Sequence, residues 1–206
     1  MKLIGSLTSP YVRKIRIMLL EKNLPFELVI DSPWEPSTQV TDFNPLGKVP
    51  ALVTDDGETL FDSNILAEYI ELMDAASSTQ SRFLPLDRAA ALRIRQIALL
   101  ADGVCDAGVA VFLESRRPAD KQHADWVSRQ QGKIERGLTA LESRAAANPW
   151  LGGEDMTLAD IATGCMLLWL EFRHISLDWR STHPALSALV NKLAARPSFQ
   201  STIPLA

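Results

Sequence analysis

The sequence predicts an α/β N-terminal domain followed by an all-α helical C-terminal domain. Up to about residue 74, short extended runs alternate with helical ones, whereas beyond the small, polar residues 75–80 every periodic segment reads as helix. The charge balance shifts at the same place, from a net of −6 through Gln80 to +2 after it, which suits a domain boundary.

Residues 2–7 form a brief extended run, and Pro10 opens a stretch in which Val12, Ile15, Leu19 and Leu20 recur at helical spacing. Asn23, Leu24 and Pro25 end that helix; residues 26–30 read as a second strand. Residues 31–44, with Pro33 and Pro36, suit a loop holding at most one short helix. Residues 51–54 and 58–61 flank the turn Asp55-Asp56-Gly57 as a hairpin, and a helix from Ser63 carries Ile65, Leu66, Tyr69, Ile70 and Met73 on one face. The order so far is βα, β, a possible short α, ββα.

The second half predicts helices over residues 87–115, 120–147, 158 to about 172 and 185–195, the second with Trp126, Ile134, Leu138 and Leu141 turned inward. Thr157-Leu158-Ala159-Asp160 specifies one helix start: Thr at the N-cap, an acid at the third helical position, and Met156 and Ile161 placed as a staple.

With 206 residues, 47% hydrophobic and 22% charged, the chain can bury a core and stay soluble. A net charge of −4 lacks the basic footprint that nucleic acid or an anionic membrane selects. No segment is a continuous apolar run of about 18 residues, so a cytoplasmic location is the default expectation. Cys105 and Cys165 are predicted to be buried packing residues, and His123, His174 and His183, matching no zinc spacing, to be surface or capping residues; no metal is expected.

Three short segments could carry chemistry. In Thr8-Ser9-Pro10-Tyr11 the proline suits the first helical position, which puts Ser9 at the N-cap. Its hydroxyl reads first as an ordinary cap, yet it can accept from a helix N–H while donating its proton to an anionic sulfur or oxygen. In the run Asn44 to Leu52, Pro50 enters a strand directly after a turn, either as a simple structural turn or as a cis Val49-Pro50 bond that bares the Val49 backbone to an extended peptide. Lys48, taken singly, is a solvated charge. Asp62-Ser63-Asn64 precedes the third helix; either Asp62 or Ser63 caps it, or the pair takes the ammonium and carboxylate of an amino acid.

Taken together, these segments resemble the glutathione S-transferase superfamily, in particular its bacterial serine-type members with a tau- or omega-like Ser-Pro-aromatic loop. TSPYVRKIR is similar to the catalytic loop and first helix, NPLGKVPAL to the cis-proline segment, and FDSNIL to the acid-serine glutathione motif. NPWLGGEDMTLADI and the closing RPSF are similar to segments of the helical half. The resemblance covers essentially the whole chain. It implies a thioredoxin-like βαβαββα domain over residues 1–76, a linker over 77–86 and an all-helical domain over 87–206.

It further implies that glutathione is the co-substrate, conjugated to a small hydrophobic electrophile in a detoxification role. Ser9 would be catalytic; Lys48, Val49, Asp62 and Ser63 would bind glutathione, with Lys48 on the glycyl carboxylate. A homodimer is implied, with Asp102 reaching the partner's glutathione, and a hydrophobic pocket between the domains walled by Tyr11 and by Cys105 or Phe112. The chain departs from the pattern in having no strand-one Tyr, no Cys at position 9, and Asp62 in place of the commoner Glu. Two alternatives stay open: glutathione-dependent disulfide or peroxide reduction, and a non-catalytic glutathione-binding protein associated with stress.

Overall fold

A computed structural model describes residues 1–74, 82–175 and 178–204. Contacts divide the chain into Met1–Leu84 with Arg196–Ala206, and Pro85–Ala195. The C-terminal segment therefore joins the first unit, where the sequence suggested one helical domain from 87 to 206. Half of the expected linker, residues 77–81, falls outside the described residues.

The first unit contains β1 (Lys2–Gly5), α1 (Pro10–Glu21), β2 (Glu27–Ile30), α2 (Val40–Phe43), β3 (Ala51–Val53), β4 (Thr59–Phe61) and α3 (Ser63–Asp74). The sheet order is β2-β1-β3-β4, with β1 parallel to β2 and the other pairs antiparallel. Successive strand residues alternate faces. Ile4 and Ala51, paired across β1 and β3, pack with Val40 of α2 and half-buried Val29, Phe43, Val49 and Val53. Their neighbours Leu3 and Leu52, also paired and fully buried, belong to the opposite face. Each such Leu or Ile removed from water contributes about 1.5–3 kcal/mol.

Helix α1 ends in a Schellman-type turn: Leu24 N–H reaches Leu19 C=O at 2.9 Å and Asn23 adopts φ of 50°. The small loop-forming residues after the helix thus act as its stop signal.

The second unit holds α4 (Arg88–Ser115), a 3-10 turn at Ala119–Lys121, α5 (Ala124–Ala147), α6 (Leu158–Phe172), α7 (Trp179–Thr182) and α8 (Pro184–Ala194). Nearly all of α6 is buried, as its apolar circumference requires; α4 packs against it and against α5, while α8 packs against α5 and α6. By length and composition alone α4 could cross a membrane, although Asp102 and Asp106 interrupt its apolar run. In this unit its Ala91, Ile94, Ala98, Ala101 and Cys105 are buried.

Helix α5 starts at Ala124, four residues later than expected, because the His123 ring caps it: Nδ1 accepts from Trp126 N–H at 3.2 Å. Trp126 is 38% exposed, which corrects the inward placement; the buried stripe begins one turn later and runs through Gln130, Ile134, Gly137, Leu138 and Leu141. Both cysteines are buried.

The capping box at α6 is present: Asp160 Oδ2 accepts from Thr157 N–H at 2.8 Å and from its hydroxyl at 2.9 Å, and Oδ1 accepts from Leu151 N–H at 2.8 Å. Burial pushes this carboxyl up, and the hydrogen bonds oppose that rise.

A last helix, α9 (Pro197–Gln200), lies in the first unit against α1. Arg13 Nη2 donates to Phe199 C=O at 3.1 Å and Arg16 Nη2 to Ser201 C=O at 3.4 Å, so two α1 guanidiniums meet the carbonyls at the end of α9, and residues 196–204 form a C-terminal strap along α1. Burial first, and then the charge of Arg13, hold Arg16 below the ordinary guanidinium range.

Candidate functional site

The strand register gathers the three candidate segments. Ile4, next to the end of β1, faces Ala51 at the start of β3, and Ala51 faces Phe61 at the end of β4. The chain leaves β1 toward Ser9, enters β3 from Val49 and leaves β4 at Asp62, so all three lie at one end of the sheet. From β1 to β4 is two strand spacings, about 10 Å. An extended tripeptide spans about the same distance.

At the first segment, Gly5 lets α1 approach closely: a Cβ there would stand 2.5 Å from a Val12 methyl. The connecting turn is closed by Ser9 N–H on Ser6 C=O at 3.2 Å and by the Ser6 and Thr8 hydroxyls at 3.1 Å. Ser9 is the N-cap, with extended backbone, and its Oγ accepts from Val12 N–H at 3.3 Å. A hydroxyl that accepts in this way keeps its own proton to donate. No acid stands in the first turn of α1 to offset the positive helix end.

At the second segment, the Val49-Pro50 bond is cis. Among the described residues neither the N–H nor the C=O of Val49 has a hydrogen-bond partner. The loop before it is built around buried Asn44, whose Nδ2 donates to Lys48 C=O at 2.8 Å, whose Oδ1 accepts from Leu46 N–H at 3.0 Å and whose C=O accepts from Gly47 N–H at 2.8 Å. Gly47 takes φ of 61°, where its lack of a Cβ is needed. The Lys48 side chain is exposed.

At the third segment, Asp62 takes φ of 74°, a costly conformation for a residue with a Cβ. Among the described residues, the two other non-glycine ones with positive φ, Asn23 and His174, each end a helix; Asp62 precedes one. Its C=O accepts the first helical bond, from Leu66 N–H at 2.9 Å, and its Oδ1 accepts from Asn64 N–H at 2.8 Å. Asp62 is exposed while Ser63 beside it is buried.

Two residues of this region were not legible as site components. Asn44 organises the loop that presents Val49, and fully buried Lys14 ties α1 to the start of α3, its Nζ 3.3 Å from Asn64 Oδ1. In the sequence Lys14 was one of three cations in α1, with Arg13 and Arg16, and nothing in their spacing set it apart. Of the residues singled out in the sequence, Ser9, Val49, Asp62 and Ser63 share the sheet end, and Lys48 adjoins it on the exposed loop. Phe112 packs edge-on to Trp169 within the helical unit. Among the described residues no cluster of three potential metal ligands occurs.

Residues 8–73 match the family model of the glutathione S-transferase N-terminal domain and residues 124–191 that of the C-terminal domain. The chain is 46% identical over 204 residues to an uncharacterized GST-like protein, YibF, of Escherichia coli K12, covering 99% of this chain and 98% of that protein. It superposes with a TM-score of 0.92 on a glutathione S-transferase of Methylobacterium radiotolerans in complex with glutathione sulfonate, at 40% identity, covering 100% of this chain and 95% of that one. A second, from Methylobacillus flagellatus with glutathione bound, gives 0.92 at 39% identity, covering 99% of each chain.

Proposed function

Because the chain belongs to the glutathione S-transferase superfamily, we propose that it binds glutathione at the sheet end described above and transfers its thiolate to a small hydrophobic electrophile. The observation that carries this reading is the convergence of two helix starts and a partner-free stretch of backbone over a span that fits a tripeptide.

The residues suit the three parts of that ligand. The γ-glutamyl carboxylate meets Ser63 and the start of α3, and its ammonium meets exposed Asp62, a charge-assisted pairing. The cysteinyl unit pairs with the Val49 backbone in the manner of strand addition. Lys48 takes the glycyl carboxylate. The sulfur then lies at the start of α1, beside Ser9. A relative that binds a sulfonate derivative of glutathione supports an anion-tolerant sulfur position.

The chain's two cysteines, Cys105 and Cys165, are both buried, so the nucleophile is the thiol of glutathione itself. That thiol resembles free cysteine, with a pKa of about 8.5. Lowering it by two units needs about 2.7 kcal/mol in favour of the anion, which one hydrogen bond to a charged group plus the helix-start field is able to supply. Holding the thiolate against an acceptor adds the acceleration of proximity.

Calorimetric titration with glutathione, followed by a conjugation assay with an aryl halide on the same sample, tests the proposal. Saturable binding and thioether formation are expected. Turnover of a small disulfide or a peroxide without conjugation would move the assignment to reduction, and binding without any turnover would make the protein a glutathione binder only.

A further inference from the structure

Two guanidinium groups of the helical unit converge on one aromatic ring. Arg173 Cζ lies 4.6 Å from the centroid of Phe112 and 4.7 Å from that of Phe172, and Arg116 Cζ lies 5.7 Å from Phe112. Trp169 braces Phe112 edge-on, with ring centroids 6.4 Å apart. The nearby carboxylates are committed elsewhere. Both oxygens of Glu171 accept from Arg180, while Glu114 accepts from Arg117 and from His123 N–H.

Among the described residues neither Arg116 nor Arg173 forms an ion pair, and the Arg173 Nε is buried without a hydrogen-bond partner. Burial, and then the charge of Arg116, pull Arg173 below the ordinary guanidinium range, as two cations brought together require. The two residues are the C-caps of α4 and α6, and the helix dipole explains a basic residue at each end. It does not explain why both side chains turn onto the same ring.

Stacking on aromatic rings occupies the faces of a guanidinium and fixes its plane, while its N–H donors stay at the rim. We propose that Arg116 and Arg173, braced on Phe112, bind a small organic carboxylate, preferably an aromatic one. A carboxylate meets the guanidinium fork with two parallel hydrogen bonds and relieves the repulsion between the cations, and an aryl body gains contact with the rings already there. This binding does not depend on glutathione being the co-substrate.

The test is titration of the full chain with sodium benzoate, read by calorimetry and by tryptophan fluorescence, for which Trp169 is the adjacent reporter. Saturable binding is expected, weakened at least about tenfold in Arg116→Gln and in Arg173→Lys, which keeps the charge but loses the fork. Benzamide, of the same shape without the charge, is expected to bind at least about tenfold more weakly than benzoate. Arg116 is exposed, so Arg116→Gln tests the site even if the Arg173 variant does not fold. No saturation with millimolar benzoate, equal affinity for benzamide, or an unchanged benzoate affinity in Arg116→Gln overturns the proposal. A purely dipole-compensating role predicts the last of these, with only the melting temperature shifted.

Discussion

Arg196 grips Glu21 across 175 positions of sequence: Nε donates to Oε1 at 2.8 Å, Nη2 donates to Oε2, and the Ser198 hydroxyl joins them. With Arg13 and Arg16 holding the carbonyls of Phe199 and Ser201, the C-terminal strap is fastened along the helix whose first turn presents Ser9.

The hydrogen bond from Arg196 is the main reason that the Glu21 carboxyl sits below its ordinary value, with Ser198 adding to it and burial opposing. A depressed folded-state pKa gives stability that is present above the ordinary carboxylate range and lost as pH falls through the folded value. Glu21→Gln is therefore expected to destabilise the protein by about 1–2 kcal/mol at pH 7, the worth of a partly screened charged hydrogen bond. The difference from wild type should shrink as urea unfolding is repeated toward pH 3. A gap that stays constant with pH would show that the carboxylate charge is not what matters.

Lys22 and Glu71 form a buried pair, Nζ to Oε1 at 3.1 Å, with Lys22 also over the Phe83 ring and Phe83 N–H donating to the same oxygen at 3.1 Å. Lys22→Met leaves a buried carboxylate without its cation, at a cost of about 3–5 kcal/mol. Lys22→Met with Glu71→Leu should recover most of that loss. Denaturant midpoints of the two single variants and the double check this; a strictly additive double variant contradicts it.

Gly5→Ala should act on the site through α1. The new methyl would meet the Val12 side chain at 2.5 Å, so the helix must shift, at about 1–3 kcal/mol. The Michaelis constant for glutathione should rise, and Val12→Ala on the same chain should bring it back toward wild type. If the Gly5 variant loses stability without any change in glutathione affinity, the α1 start does not position the ligand.

Much of this was legible in the sequence for local reasons. Pro10 and Ser9 specify a helix start by their own chemistry, and the box from Thr157 to Asp160 does so again, because caps are settled within four residues. The family resemblance supplied the grouping of Ser9, Val49 and Asp62, which periodicity alone does not contain; in the structure it follows from the register of β1, β3 and β4.

What stayed hidden depends on partners beyond the local turn, nine residues away for Asp160 and 175 for Glu21. Asp160 was readable as part of a cap but not as the acceptor for Leu151 N–H, and Glu21 was an ordinary acid in the last turn of a helix until the strap reached it. Trp126 was misplaced for a related reason: a helical period tells which residues share a face, not how far along the helix the neighbouring element extends.

The thiol pKa of bound glutathione, followed by thiolate absorbance across a pH titration of the wild-type complex and of Ser9→Ala, bears most directly on the proposed chemistry. A wild-type midpoint well below the free value of about 8.5, moving back up in Ser9→Ala, is the predicted result. A bound thiol that titrates like free glutathione in both proteins would contradict it.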